Sequence, residues 1–343
     1  MQKILSFLTV FFFTVSSFSS LASVATAQTA DQRSFLQAKT ELLEIIEAQD
    51  PGKLPIENLV QNVKGKFTSQ QASLGIKIEV DPKRESVLLS EDGVDIVIGL
   101  PKTREEQPKI KMLQEQMVAS TRDLDVIVQA IEGGVRHIIT IPSIESAREY
   151  YDFPVKMPRG YSLQQDDFGN VVILDPKGKV HTSIAKPWAK DAAGKDIPTK
   201  YKVKGTTLRQ YVDIQKDTAF PVVADPIWCG EAIRSVRWIK REDTKHSNSL
   251  SVTPTACGAL AGTIIGGLPG VIAYFPAWDE VVEKTKANNY WDPTDRTASY
   301  WSMRNQFFCH AHFPSALKLP WNLEPTRPNV GYFRTTSEGC NPE

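Results

Sequence analysis

Short apolar and β-branched runs recur along residues 73–225 and dominate the pattern of the chain. Turn sequences separate these runs, as in Glu132-Gly133-Gly134. Many short strands joined by hairpin turns predict an antiparallel sandwich or layered sheet. The runs that predict strands are residues 75–80, 86–90, 94–99, 124–129, 135–141, 171–174, 179–184, 201–204, 206–213 and 220–223.

The start and the middle of the chain have other patterns. Leu43 and Ile46 lie on the apolar face of a predicted helix, and Pro51 would end it. We therefore interpret residues 28–72 as an N-terminal helical segment. Residues 102–116 are rich in Lys, Glu and Gln, which predicts a surface loop or a short helix.

In the last third of the chain, segments with the apolar pattern of strands alternate with segments that have the pattern of helices. Residues 233–238 and 249–252 predict strands, and residues 278–284 predict a helix. Residues 302–308 predict a second helix or an extended element. This part of the chain should therefore be a mixture of helix and strand.

The first 27 residues have the three parts of a secretory signal peptide. Lys3 supplies positive charge, residues 4–15 are mainly apolar, and Ala25 to Ala27 fits the small-residue cleavage pattern. The apolar run is shorter than the roughly 20 residues that span a bilayer. The sequence thus predicts a secreted, extracellular protein whose mature chain begins at Gln28.

The cysteines support an oxidising compartment and a domain boundary. All of them lie in the last third of the chain: Cys229, Cys257, Cys309 and Cys340. Four cysteines in an exported protein predict disulfides and allow three pairings. We favour Cys229–Cys257 and Cys309–Cys340, because neighbours in sequence often pair.

These patterns together predict an α+β fold. It would contain the N-terminal helix, a mainly antiparallel β-sandwich-like middle domain at residues 73–226 and a small, disulfide-stapled mixed α/β domain at residues 227–343. The 40 Lys and Arg residues equal the 40 Asp and Glu residues, so the formal net charge is zero. No global field favours nucleic acid, and we expect no nucleic-acid partner, although a local basic patch is not excluded.

The end of the predicted β region has a recognisable sequence. Residues 205–213 (GTTLRQYVD) precede residues 220–226 (FPVVADP). With Lys186 to Trp188, they resemble the closing strands of a β-domain of secreted actinobacterial proteins and of YD-repeat proteins. The resemblance covers about residues 92–226 and implies a structural or presentation module without a catalytic role.

The C-terminal third carries a second, more specific resemblance. Its ordered motifs are residues 249–255 (SLSVTPT), 278–280 (WDE), 305–310 (NQFFCH), 321–330 (WNLEPTRPNV) and 340–342 (CNP). This set is similar to the domain-of-unknown-function 2599 family. The family implies no activity that could be carried over to this chain.

One polar cluster in that third could carry chemistry: His310, His312, Asn322, Glu324 and Arg327. His310 and His312 are two residues apart and would share one face of a strand. With Glu324 they could bind zinc, or His310 and Glu324 could act as base and acid. The spacing is not diagnostic, so we favour a structural cluster beside a disulfide and assign no catalytic residue, metal or cofactor.

An uncharged segment runs from Ala256 to Tyr274. Glycines recur in it every four residues, at positions 258, 262, 266 and 270, and would form a smooth stripe on a helix. The length approaches that of a membrane span, but Pro269 would kink the helix. A buried, glycine-packed helix is the favoured interpretation, and a membrane-inserting segment is the alternative.

The leading hypothesis is a secreted, non-enzymatic protein that binds an unknown extracellular or cell-envelope partner. The alternative is a secreted toxin or effector. Its C-terminal domain would then act on membranes through Ala256 to Tyr274, or hydrolyse a substrate with His310 and Glu324.

Overall fold

The computed structural model describes residues 41, 43–46, 56–102, 108–166, 169–242, 245–263, 275–287, 289–312 and 319–343. The predicted signal peptide lies outside these residues. The chain divides into two compact units, Met1–Ala48 and Gln49–Glu343. In the first unit, residues 41 and 43–46 are helical, and Leu43 and Ile46 are buried. This is the predicted N-terminal helix.

In the second unit, the described residues form a first sheet of eleven antiparallel strands. Its strands are β1 (Ile56–Glu57), β7 (Lys109–Leu113), β8 (Gln116–Ser120), β9 (Asp125–Ile131), β10 (Gly134–Ile141), β12 (Ser162–Gln165), β13 (Val171–Leu174), β14 (Val180–Ile184), β15 (Trp188–Lys190), β18 (Val222–Asp225) and β19 (Ile227–Cys229). The main order is β12-β13-β14-β19-β10-β9-β8-β7. β1 pairs with β9, while β18 joins β10 to β15.

A second sheet contains eight of the described strands. They are β2 (Val60–Gln61), β3 (Phe67–Gln71), β4 (Ile76–Asp81), β5 (Ser86–Glu91), β6 (Val94–Gly99), β11 (Tyr150–Lys156), β16 (Thr199–Lys204) and β17 (Thr207–Val212). The order is β16-β17-β11-β6-β5-β4-β3-β2, so β16 is an edge strand. A short 3₁₀ helix, Ala72–Leu74, joins β3 to β4.

The two sheets share one hydrophobic core, which makes this part a sandwich as predicted. Ile76 and Ile78 of β4 contribute from the second sheet. Val126 and Val128 of β9 contribute from the first sheet. In each strand the core residues are two apart, because successive side chains point to opposite faces.

β10 carries a histidine into this core. His137 is fully buried, with its ring centroid 5.8 Å from that of Phe153 and 6.4 Å from that of Trp228. Neither ring nitrogen has a hydrogen-bond partner among the described residues. Burial lowers the pKa of His137 to about 3, so the ring is neutral at physiological pH.

The FPVVADP sequence has a structural explanation. Asp225, at the end of β18, accepts a 2.9 Å hydrogen bond from Arg136 Nε, and both side chains are almost fully buried. The Trp188 ring lies 5.3 Å from the Arg136 guanidinium carbon. The Tyr201 hydroxyl donates to the Asp225 carbonyl at 3.1 Å. A buried ion pair of this kind locks the closing strands against β10.

Three sequence-based boundaries were wrong. Strands begin at Ile56, inside the segment interpreted as helical up to residue 72, because β1 to β3 are short and polar and lack an apolar alternation. Lys109–Leu113 is a strand of a hairpin with β8, although residues 102–116 were predicted as a loop or helix. β19 pairs with β10 and β14, so the first sheet extends to Cys229 rather than ending at residue 226.

The C-terminal part combines a small sheet with helices. Its strands are β20 (Ile233–Lys240), β21 (Asn248–Pro254) and β22 (Trp321–Leu323), in that order. Its helices are Ala256–Thr263, Phe275–Lys284, Ala298–His312 and Tyr332–Ser337. Aromatic side chains fill its core, where Trp278 Nε1 donates to the Tyr300 hydroxyl at 2.8 Å. The α+β class holds for this part too.

Both favoured disulfides are present. Cys229–Cys257 ties β19 of the first sheet to the helix Ala256–Thr263. Cys309–Cys340 ties the helix Ala298–His312 to the C-terminal segment. The first bridge therefore fastens the C-terminal part to the sandwich, and the second closes the C-terminal part on itself.

The turn between β9 and β10 forms the junction with the C-terminal part. The Gly133 carbonyl accepts hydrogen bonds from the N–H groups of Gly230 and Glu231. Gly133 has φ +83°, and a Cβ there would lie 2.2 Å from the Glu231 carbonyl oxygen. Only glycine combines this backbone conformation with this close approach. Glu132 completes the junction by pairing bidentately with Arg234.

Candidate functional site

The structure places the histidine pair, the sequence-based candidate for a metal or catalytic site, on a helix. His310 and His312 lie in the helix Ala298–His312, not on a strand. Residues two apart on a helix are about 200° apart around its axis, so the expectation of a shared face was wrong. His312 Nδ1 shares a 2.5 Å hydrogen bond with the Tyr332 hydroxyl. Within the described ranges, no group of three or more His, Cys, Asp or Glu side chains is arranged to hold a metal ion.

Glu324 is a structural carboxylate. It is fully buried and accepts hydrogen bonds from Arg327 Nε at 2.7 Å and from Ser249 Oγ at 3.0 Å. Arg241 Nη1 lies 3.4 Å from Glu324 Oε1, the oxygen that also accepts from Ser249. The described partners of this carboxylate do not include His310, and a base–acid pair of the two side chains stays a prediction.

Arg327 extends this network to the chain end. Its Nη1 donates to the carbonyls of Asn341 and Pro342 and to the side chain of Glu343. Gln306 holds the Glu324 backbone from the helix side, through bonds of 2.9 and 3.0 Å. Glu324 and Arg327 therefore fix the C-terminal segment.

The segment from Ala256 to Tyr274 lies only partly within the described residues. Ala256–Thr263 is a helix, and residues 264–274 lie outside the description. Gly258 lets the helix press against Ala232, whose carbonyl oxygen would lie 2.0 Å from an added Cβ. No helix among the described residues has the length and hydropathy to cross a membrane. Membrane insertion by this segment stays a prediction.

An acidic cleft of about 290 Å³ lies where the sandwich meets the C-terminal part. Seven acidic residues line it, and three of them belong to different elements: Glu91 at the end of β5, Glu231 after β19, and Glu280 on the helix Phe275–Lys284. Glu280 accepts hydrogen bonds from the N–H groups of Ala232 and Ile233, and Glu231 pairs with Lys284.

Two carboxyl groups of this acidic cleft, those of Glu91 and Glu280, hold protons at neutral pH. Burial, then the Glu231 and Glu280 carboxylates, raises the pKa of Glu91 to about 9. Burial and Glu231 raise the pKa of Glu280 to about 8, against the hydrogen bonds from the two N–H groups. The side chain of Glu91 is only 15% exposed. We assign these groups to the junction, because Glu280 caps the start of β20.

The second sheet presents a different surface on its outer side, here named the basic–aromatic face. Strand register places its residues in three rows across β16, β17 and β11. The rows are Lys200–Tyr211–Tyr150, Lys202–Arg209–Asp152 and Lys204–Thr207–Pro154. The lysines are exposed, whereas Tyr201, Leu208 and Phe153 on the opposite face are buried.

Ring and charge contacts hold this face in place. The Arg209 guanidinium carbon lies 3.4 Å from the centroid of the Tyr150 ring, and Asp152 binds that guanidinium at 2.6 and 2.7 Å. The ring centroids of Tyr150 and Tyr211 are 5.7 Å apart, and Lys200 Nζ lies 5.7 Å from the Tyr211 ring. Cation–π contacts of this kind fix the aromatic side chains before a ligand arrives.

Two grooves adjoin the basic–aromatic face and share Ala147, Arg148 and Glu149. Their volumes are about 630 and 560 Å³, large enough for extended ligands. Lys200 and Tyr211 line the larger groove, while Tyr150 and Asp152 line the smaller one. Arg148 Nη1 donates to the Lys102 carbonyl at 2.6 Å. Its Nη2 is buried and has no hydrogen-bond partner among the described residues.

Sequence reasoning missed this site. The alternating lysines of β16, at positions 200, 202 and 204, were the available signal. β11 was not predicted as a strand, so nothing placed Tyr150 or Asp152 beside them.

The family comparison covers only the C-terminal part. Residues 233–343 match the model of a family described as a protein of unknown function, DUF2599. No curated protein matches the chain. The resemblance proposed for the C-terminal third is thereby confirmed, and the part of the chain from residue 233 to residue 343 is a match to the DUF2599 family.

Proposed function

We propose that the protein is exported and acts as a non-enzymatic binding protein at the cell envelope. The observation that carries the proposal is the basic–aromatic face with its two adjoining grooves. This surface is open and its side chains are preorganised, which favours recognition of an extended partner.

The rest of the molecule supports a binding role. Among the described residues, the C-terminal candidates for catalysis are held in structural contacts: Glu324 by Arg327 and Ser249, and His312 by Tyr332. The Cys229–Cys257 bridge fastens the C-terminal part to the sandwich. A C-terminal part fastened to the sandwich beside an exposed basic–aromatic face suits attachment better than turnover.

Export is part of the proposal. Disulfides form and persist in oxidising compartments, and residues 1–27 have the composition of a signal peptide.

Co-sedimentation with isolated cell envelopes tests the proposal. The full chain without residues 1–27 should pellet with envelopes, and Arg148→Ala should reduce the pelleted fraction because Arg148 lines both grooves. Arg84→Ala is the matched control, since Arg84 is 81% exposed in a turn of the sandwich. Absence of wild-type protein from the pellet, or equal loss in both variants, would contradict the proposal. Release of soluble envelope fragments would contradict the non-enzymatic role.

A further inference from the structure

The basic–aromatic face also indicates the chemistry of its partner. Lys200, Lys202 and Lys204 are exposed and alternate along one edge strand, about 7 Å apart. None of the three forms an ion pair with an acidic side chain in the described part of the chain. Lys156 of β11 is exposed on the same face. A row of unneutralised cations on a chain of zero net charge is a local attraction for a polyanion.

Arg148 adds a directed donor beside this row. Its buried Nη2 lacks a hydrogen-bond partner among the described residues, although the guanidinium always carries its charge. A carboxylate entering either groove would supply the missing acceptor. Glu149 and Asp213 also line the larger groove and balance the charges of Arg148 and Lys200 there, so the excess positive charge comes from Lys202 and Lys204 outside its lining.

The aromatic residues favour sugar rings over nucleobases. In proteins that bind single-stranded nucleic acid, a nucleobase stacks flat on an aromatic ring. Here Arg209 already covers one face of Tyr150 at 3.4 Å. The planes of Tyr150 and Tyr211 are inclined by 54°, so the two rings form no parallel slot. The phenol groups of the two tyrosines can still exchange hydrogen bonds with the hydroxyl groups of a sugar chain.

We infer that the basic–aromatic face binds an anionic polysaccharide whose sugar rings carry carboxylate groups. This inference rests on the proposed function and names its partner class. The lysine row pairs with successive carboxylates, Arg148 binds one of them in the grooves, and the two tyrosines contact the sugar rings.

Polygalacturonate is the probe for a direct test, with dextran as the neutral polysaccharide of comparable size. The wild-type chain should bind polygalacturonate and not dextran. The triple variant Lys200→Ser/Lys202→Ser/Lys204→Ser should weaken binding about tenfold, because each exposed ion pair contributes modestly. The matched control Lys64→Ser/Lys83→Ser/Lys177→Ser removes three exposed turn lysines and should bind like wild type.

Other ligands give the overturning results. Tighter binding to a single-stranded oligonucleotide, or to phosphatidylglycerol vesicles, would overturn the inference in favour of nucleic acid or membrane. Unchanged binding by the β16 variant, with new dimers in solution, would show that its lysines only protect a sheet edge. Tyr150→Ala distinguishes the contribution of the aromatic rings from that of the lysine charges. It should weaken polygalacturonate binding and leave the salt dependence of binding unchanged.

Failure of the inference and failure of the proposed function are distinguishable. Binding to envelopes without binding to polygalacturonate, unaffected by the β16 substitutions, overturns the inference alone. Binding to neither contradicts both.

Discussion

Acid should destabilise the protein through one histidine of the sandwich core. The His137 ring packs against Phe153 and Trp228, and neither of its nitrogens has a hydrogen-bond partner in the part of the chain that the structure describes. Its pKa is lowered to about 3 in the folded state, against about 6.5 in an unfolded chain. The unfolded state therefore binds more protons between these values. The stabilisation is complete above about pH 6.5 and is lost as the pH falls toward 3.

The size of this change in the free energy of unfolding follows from the linkage between proton binding and folding. Between pH 7.5 and pH 5, the difference in proton binding lowers the free energy of unfolding by about 2 kcal/mol. His137→Leu introduces an apolar side chain of similar size and removes the titrating imidazole. Urea unfolding of wild type and variant at both pH values measures the difference in slope.

The control for this comparison is Ile139→Val, two residues along β10. Ile139 is fully buried, and the change should lower the free energy of unfolding by about 1 kcal/mol at both pH values. Equal loss of stability on acidification in wild type and His137→Leu would refute the reasoning. It would mean that His137 finds a partner for its charge or that other groups dominate acid unfolding.

Three further predictions concern the junction and the C-terminal network. Glu91 is protonated in the folded state up to about pH 9, so its contribution is complete below about pH 4.5 and is lost as the pH rises; Glu91→Gln should reduce the fall in Tm between pH 6 and pH 9, and an unchanged fall would count against the buried proton. Gly133→Ala should lower the free energy of unfolding by about 2–4 kcal/mol through backbone strain and the contact with the junction backbone. The control Gly65→Ala, also at positive φ but with open space around it, should lower the free energy of unfolding by only about 1 kcal/mol in the same denaturation assay. Glu324→Ala should destabilise by about 3–5 kcal/mol because it removes the buried carboxylate partner of Arg327 and leaves that buried guanidinium with only the exposed Glu343 carboxylate. A fully stable variant by calorimetry would show that the network is not structural.

The sandwich could be predicted because its strands carry local signals. Residues 94–99 and 171–174 were predicted with the bounds that β6 and β13 have. The missed strand Lys109–Leu113 alternates weakly and is half-exposed, so it resembles a loop in composition. The alternation of apolar and polar residues along the sequence identifies strands that bury one apolar face, and it does not identify strands without such a face.

The histidine pair shows the opposite error. Two residues of spacing mean one face on a strand and nearly opposite faces on a helix. Residues 302–308 left both readings open, and the structure has the helix Ala298–His312. Without the correct period, no chemistry could be assigned to His310 and His312.

The basic–aromatic face could not be found from local pattern alone. Its rows depend on the register of β11 against β17 and of β17 against β16, in which Tyr150 faces Tyr211 and Lys200 faces Tyr211. The acidic cleft likewise joins Glu91 with Glu280 from distant parts of the sequence. Tertiary pairing, rather than propensity, creates both surfaces.

The salt dependence of polygalacturonate binding tests the central claim most directly. If the lysine row binds carboxylates, the logarithm of the affinity should fall linearly with the logarithm of salt concentration, since binding releases counterions. Lys200→Ser/Lys202→Ser/Lys204→Ser should make that slope shallower, while the three turn substitutions should leave it unchanged. Equal slopes in the two triple variants, or no binding by the wild-type chain at low salt, would contradict the account.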